Sequence, residues 1–219
     1  MNDISRVTRP KDTARTVYDR MSRWYDLFTG SEKHFTEAGL EILNVQPGEK
    51  VLEIGVGTGH ALVALAQAIG DDGKAYGIDL SDGMLQVAHD RLQHAGLSGR
   101  ADLRLGDAAR LPFEDDFFDA IFISFTLELF DTPEIPTVLN ECKRVLRETG
   151  RIGVVAMEKK ECRAVKIYEW FHARLPTLVD CRPIHARESI KAAGFELAEA
   201  SEKAMWGLPV EIVIARKHG

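Results

Sequence analysis

Lys50-Val-Leu-Glu-Ile-Gly-Val-Gly-Thr-Gly-His60 is the stretch on which the fold turns. Lys50 to Ile54 is short, apolar and closed by glycine, the pattern of a parallel strand buried on both faces. Gly55, Gly57 and Gly59 allow a tight bend and a close approach of backbone to a ligand. Across residues 60–69, Leu62, Leu65, Ala66 and Ile69 recur at the spacing of one buried helical face. The first turn of that helix offers unpaired N–H groups to a carboxylate or phosphate. Glycines at this spacing are a weak signal alone, because a structural turn accounts for many such matches.

The alternation continues downstream. Residues 75–79, 101–105 and 119–124 read as strands, and residues 84–95 as a helix. Residues 135–147 read as a further helix with Val138, Leu139, Cys142, Val145 and Leu146 as its stripe. Gly150 is placed to cap that helix and release a fifth strand over 151–156. A short helix over 188–193 precedes strands at 195–202 and 210–215. Such alternation predicts a doubly wound α/β sheet of seven mostly parallel strands. The last two strands have no helix between them and should pair antiparallel at one edge.

Residues 1–45 read as an N-terminal helical cap with Tyr18, Met21, Trp24, Tyr25, Leu27 and Phe28 as its apolar points. Residues 46–219 form the main domain, with an insertion over 158–185 expected to act as a lid. Its helix, over 164–175, carries Val165, Ile167, Tyr168, Trp170, Phe171 and Leu175 with Arg163, Lys166 and Arg174 between them. Segments that flank the carboxyl edge of such a sheet are placed to cover a ligand.

Two acids follow the next strand ends. Asp79 stands 20 residues beyond Gly59, where a carboxylate accepts hydrogen bonds from ribose hydroxyls. Gly106-Asp107-Ala108 follows the third strand, where Asp107 can receive an adenine amino group. The competing readings are a helix N-cap for Asp79 and a turn for Asp107. Three coincidences at three successive strand ends favour a nucleoside ligand. The glycines read GxGxG with His60 next, not the GxGxxG of nicotinamide sites.

Together these features resemble class I S-adenosylmethionine-dependent methyltransferases, over about residues 12–216. The segment Val17-Tyr-Asp-Arg-Met-Ser-Arg-Trp-Tyr-Asp26 is similar to the doubled tyrosine-aspartate segment of the ubiquinone/menaquinone-type (type 11) group, which has phospholipid N-methyltransferases as relatives. The resemblance implies a Rossmann-like methyltransferase fold that binds S-adenosyl-L-methionine and releases S-adenosyl-L-homocysteine. It implies that Glu53, Gly55, Gly57 and Thr58, with Gly59 in the turn, lie along the methionine moiety. Asp79 would hold the ribose, Leu80 and Met84 the adenine face, Asp107 and Ala108 the adenine edge, and Ser124 the amino-acid end. Met84 fits plain helix core as well. No Asn-Pro-Pro-Tyr motif follows the fourth strand, where this chain has Ser124-Phe-Thr-Leu-Glu128.

A sulfonium methyl is already electrophilic, so alignment matters most, and a base is needed only when the acceptor must lose a proton. His60 is one candidate base, kept neutral by the helix N-terminus, against an exposed histidine with no chemical role. Tyr18 and Tyr25 could close over the donor or simply pack, and His172 is a weaker candidate. The apolar insertion helix suits a small or lipophilic acceptor, quinone-like or phospholipid-like, or a surface that touches lipid.

Composition narrows the classes. A net charge of −6 argues against a general nucleic-acid partner. Residues 1–24 nevertheless carry six basic side chains against three acidic ones. Three cysteines, far apart and without a CxxC pair, indicate neither disulfides nor a metal site. A polar start without an apolar run leads to the cytoplasm as the expected compartment. Nicotinamide-dependent oxidation and non-catalytic donor binding are the rival functions; the oligomeric state has no signature.

Overall fold

A computed structural model describes Ile4, Val7, Thr16, Asp19 and residues 30–174 and 181–217, with residues 171–173 described by backbone alone. The strands are β1 Lys50–Ile54, β2 Lys74–Asp79, β3 Ala101–Leu105, β4 Phe118–Ser124, β5 Leu146–Met157, β6 Phe195–Met205 and β7 Leu208–Lys217. They form one sheet in the order β3-β2-β1-β4-β5-β7-β6. β1 to β5 pair in parallel, and β7 lies antiparallel between β5 and β6. The expected doubly wound, seven-stranded sheet with its antiparallel C-terminal hairpin is present.

The helices are α1 Lys33–Leu43, α2 His60–Ala68, α3 Asp82–His94, α4 Ile135–Val145, α5 Arg163–Arg174 and α6 Ala186–Ala192. Side chains alternate across the sheet with the two-residue period of a strand. Ile121 and Ile123 of β4 join a cluster with Val138 and Cys142 of α4 and Ile190 of α6. Ala120 and Phe122 join the opposite cluster, with Leu62 and Leu65 of α2 and Phe35 of α1. α1 lies so near the sheet that a Cβ on Gly39 would stand 2.5 Å from Cγ2 of Val155. It is a wall of the sandwich as well as part of the N-terminal segment.

Several boundaries move from their expected places. α4 ends at Val145, and Leu146 already has extended backbone, fully buried and paired with Phe118. Burying Leu146 in the sheet ends the helix, so Gly150 is not its cap; Gly150 packs against the Leu146 side chain within β5. α3 starts at Asp82 because Ser81 caps it, accepting the N–H of Met84 at 3.1 Å. That excludes Asp79 as the N-cap. The C-terminal hairpin is longer than its apolar pattern, since Trp206 and Gly207 both adopt left-handed backbone and close a two-residue turn.

Val165 of α5 is fully buried and Tyr168 packs beside it, its hydroxyl donating to the Cys181 carbonyl at 3.0 Å. Among the described residues no helix is long and apolar enough to cross a membrane.

Candidate active site

A cavity of about 920 Å³ opens beyond the carboxyl ends of β1, β2 and β4. Strand order reverses between β1 and β4, so the crossovers leave in opposite directions and the sheet parts there. The glycine turn and the ends of β2 and β3 form one half of the wall. The other half comes from the N-terminal half of α1 and the segment after β4, with Val7 at its edge.

The three glycines do three different things. A Cβ on Gly55 would stand 2.3 Å from Thr126, whose hydroxyl donates to the Ser124 carbonyl at 2.9 Å. Gly55 therefore lets the β1 and β4 loops touch. A Cβ on Gly59 would meet Ala88 of α3 at 2.8 Å, so Gly59 brings two helices together and does not line the cavity. A Cβ on Gly57 would meet nothing within 4 Å; it would enter the open cavity. Of the three, Gly55 and Gly57 line the cavity.

Asp79 accepts the N–H of Gly57 with one carboxylate oxygen and the N–H of Ser81 with the other, both at 2.9 Å. Burial raises its pKa against the pull of those backbone donors, and Asp19 raises it further. Glu53 is buried, and its Oε2 has no hydrogen-bond partner among the described residues. Burial first, and the Asp79 charge second, push its pKa well above the carboxylate range. A buried acid whose ionisation is opposed by the part-buried Asp79 suits a cationic ligand, because positive charge would relieve that opposition.

Thr58, Leu80, Met84, Ala108 and Ser124 also line the cavity. Met84 is both cavity wall and buried helix core. Asp107 does not line it; its Oδ1 accepts the Ala109 N–H at 2.9 Å, the turn reading of that residue. His60 opens α2, exposed, on the cavity rim. Tyr18, Trp24 and Tyr25 lie outside the described residues, as do the side chains of Phe171 and His172. Trp170 of the expected lid is not part of the wall; it stands half-exposed on α5 with the Arg174 guanidinium 3.9 Å over its ring. Asp19 does reach the site's border. Its carboxylate accepts the Ser81 hydroxyl at 2.6 Å and the Gly83 N–H at 3.0 Å.

Sequence reasoning missed the opposite wall. Thr36 of α1 shares a hydrogen bond of 2.8 Å with Ser124, and Glu32 lines the cavity one turn earlier. Phe125 holds left-handed backbone at φ 47°, a costly conformation for an aromatic residue, and contributes to the wall. Glu128 is fully buried, and burial raises its pKa to about 8. A charge inside the apolar run Leu127-Glu-Leu-Phe130 was the signal available for it.

The donor fits this geometry. Its cationic groups would complement the buried Glu53, and the open space at Gly57 would leave room for a methionine chain.

The comparisons agree. Residues 51–150 match the family model described as a methyltransferase domain. A demethylmenaquinone methyltransferase of Bacillus mycoides (strain KBAB4) is 33% identical over 147 residues, 65% of this chain and 61% of the relative. The aligned stretch thus spans less than two thirds of that protein. One of the same name from Bacillus pumilus (strain SAFR-032) is 31% identical over 167 residues, 73% of this chain and 70% of the relative. Among solved structures, the [4+2]-cyclase SpnF superposes with a TM-score of 0.79 at 22% identity, covering 98% of each chain. A SAM-dependent methyltransferase from Aquifex aeolicus gives 0.69 at 22% identity, covering 90% of this chain and 97% of that one. The two structures speak for the fold, and the family model and relatives for the lineage: the chain belongs to the class I S-adenosylmethionine-dependent methyltransferases.

Proposed function

We propose that this protein transfers a methyl group from S-adenosyl-L-methionine to a lipophilic quinone-type acceptor. The observation that carries the reading is one cavity in which the acids Glu53 and Asp79 line one side and a cluster of apolar side chains lines the wall opposite. Glu53, Gly57 and Thr58 hold the methionine end, Asp79 the ribose, Leu80 and Met84 the adenine face, and Ala108 its edge. Ser124, tied to Thr36, sits at the boundary. Leu40, Phe125, Leu129 and Phe130 line the opposite wall, where an apolar ring gains by leaving water. When bound, the donor supplies an electrophilic methyl; the protein aligns and dries the approach.

The names of the two Bacillus relatives support the acceptor class. Fold alone does not choose the chemistry, because one fold hosts many functions. The test uses methyl-labelled donor with reduced naphthoquinols, phospholipids, phenols, amines and thiols. Labelled naphthoquinol is the expected product. Labelling of amines or phospholipids alone would replace the acceptor, and donor binding without turnover would replace the enzyme by a binding module.

A lipophilic acceptor is delivered from a bilayer, and one face of the protein suits that contact. Ile167 and Trp170 are half-exposed, 59% and 52%, and Trp206 is 81% exposed. Arg163, Ile167, Trp170 and Arg174 recur at the spacing of a single helical face. The Trp206–Gly207 turn abuts α5, since a Cβ on Gly207 would stand 3.9 Å from that of Ala164. Aromatic and aliphatic points with cationic flanks are the make-up of an interfacial anchor. Three free cysteines support a reducing compartment, the cytoplasm. Val7 at the cavity and Asp19 on α3 support the N-terminal segment as its cover.

A further inference from the structure

The wall opposite the glycine turn carries acids that donor binding leaves unused. Glu32 immediately precedes α1, half-buried on the cavity wall, and its side chain caps no backbone N–H. Thr36, one turn on along the same helical face, is bonded to Ser124, so this face meets the end of β4. Glu128 is fully buried in the turn after β4, and Glu32 acts on it electrostatically. Its Oε1 accepts the Met157 N–H at 3.2 Å, and its Oε2 has no hydrogen-bond partner among the described residues.

We propose that Glu32 is the base that takes the hydroxyl proton of a hydroquinone acceptor, with Glu128 as the positioning acid that stays protonated beside it. This deepens the methyl-transfer reading and rests on it. His60 is the weaker candidate, because it stands exposed on the rim at the start of α2.

Electrostatics agrees with the geometry. Burial lifts Glu32 to about 7, the range in which a carboxylate serves as a base at neutral pH. Burial, then the charge of Glu32, lift Glu128 to about 8, against the Met157 N–H and the Arg182 guanidinium. Two neighbouring acids in one dry site do not ionise together, so as pH rises Glu32 loses its proton first and Glu128 holds its own. Among the described residues, the other charged or titratable groups on this cavity are Lys33, Glu37, Glu53, His60, Asp79, Asp131 and Glu134. Lys33 and Glu37 pair with each other at 3.8 Å.

The step balances. Glu32 takes the O–H proton of the reduced quinone. The electron pair released pushes through the ring, and the ring carbon forms a bond to the donor methyl. The methyl–sulfur bond breaks with its pair left on sulfur, giving S-adenosylhomocysteine. The proton on the newly methylated carbon moves to the ring oxygen through water and restores the hydroquinone, while Glu32 passes its proton to solvent. One proton is released for each methyl transferred.

The test is kcat against pH with a short-chain 1,4-naphthoquinol under reducing conditions, for wild type, Glu32→Gln, Glu32→Asp and Glu128→Gln. Binding of S-adenosylhomocysteine and the melting temperature are followed in parallel. Wild type should gain activity through pH 7. Glu32→Gln should lose at least 100-fold in kcat with donor affinity and melting temperature kept, Glu32→Asp should recover part, and Glu128→Gln should keep the rise near pH 7. A nitro-substituted naphthol, already ionised at neutral pH, should lose far less than the naphthoquinol with Glu32→Gln. Full activity of Glu32→Gln on the naphthoquinol, or loss of the pH 7 limb in Glu128→Gln, overturns the assignment and leaves the methyltransferase reading standing. A wild type that methylates no hydroquinone or phenol brings down that reading and the base together.

Discussion

The carboxylate of Asp79 holds the backbone N–H of Gly57 at 2.9 Å across 22 residues of chain. Its second oxygen holds the N–H of Ser81. One acid thus ties the turn after β1 to the turn after β2. Asp79→Ala should cost twice. Donor affinity should fall by roughly 1–3 kcal/mol, because a buried polar partner is lost, and the ligand-free protein should melt earlier. Calorimetry with S-adenosylhomocysteine and a thermal melt read the two effects separately. Unchanged affinity would remove Asp79 from the donor site.

Gly57 and Gly59 are two residues apart yet should answer substitution differently. A valine at 57 points into open cavity, so it should block the donor at the moderate stability cost of left-handed backbone, about 1–2 kcal/mol. A valine at 59 strikes the backbone of Ala88 at 2.9 Å as well as its Cβ, so α2 and α3 must part. Gly57→Val should stay folded without binding donor; Gly59→Val should fail to fold. The reverse pattern would exchange their roles.

The glycine-turn side of the cavity was legible because its residues follow one another at strand ends. Glycine turn, Asp79 and Ala108 each stand a fixed step from a recognisable strand, and a parallel sheet brings such ends together. Asp107 and Gly59 belong to the same motif yet do not line the cavity, which spacing does not reveal. The opposite wall was not legible. Glu32, Thr36 and Glu128 come from α1 and from the loop after β4, and their meeting depends on how closely Gly39 lets α1 approach Val155. No local pattern encodes that approach. Leu146 illustrates the same limit, since propensity kept it in a helix and burial opposite Phe118 placed it in a strand.

The buried acids make ligand-free stability depend on pH in a definite direction. Glu128 is raised from 4.5 to about 8, first by burial. Within that window the folded chain keeps a proton that the unfolded chain has released. Stability should therefore fall as pH rises from 5 to 8, with at most about 1.4 kcal/mol per pH unit from one such group. Glu32 adds the same trend up to about 7, and Glu53 shares its sign. Glu128→Gln should flatten the slope without abolishing it. Urea unfolding of the ligand-free protein across this range measures it. A slope unchanged in Glu128→Gln would mean that the acid is solvated.

The proposed lipid contact can be tested apart from the chemistry, since none of Ile167, Trp170 and Trp206 lines the cavity. Phosphatidylglycerol vesicles should pull down the wild-type protein at low salt, because indole and isoleucine side chains enter the interface while Arg163 and Arg174 meet the headgroups. Ile167→Glu with Trp206→Glu should lower that binding at least tenfold. Two exposed apolar side chains are exchanged there for two charges repelled by an anionic surface. Raising salt from 0.1 to 0.5 M should weaken the wild type, as the electrostatic share is screened. Turnover of a water-soluble naphthoquinol should be unchanged in the double variant, while turnover of a long-chain quinol presented in vesicles should drop. Equal vesicle binding by both proteins, or equal binding to neutral phosphatidylcholine, would show that this face is not the one that meets lipid.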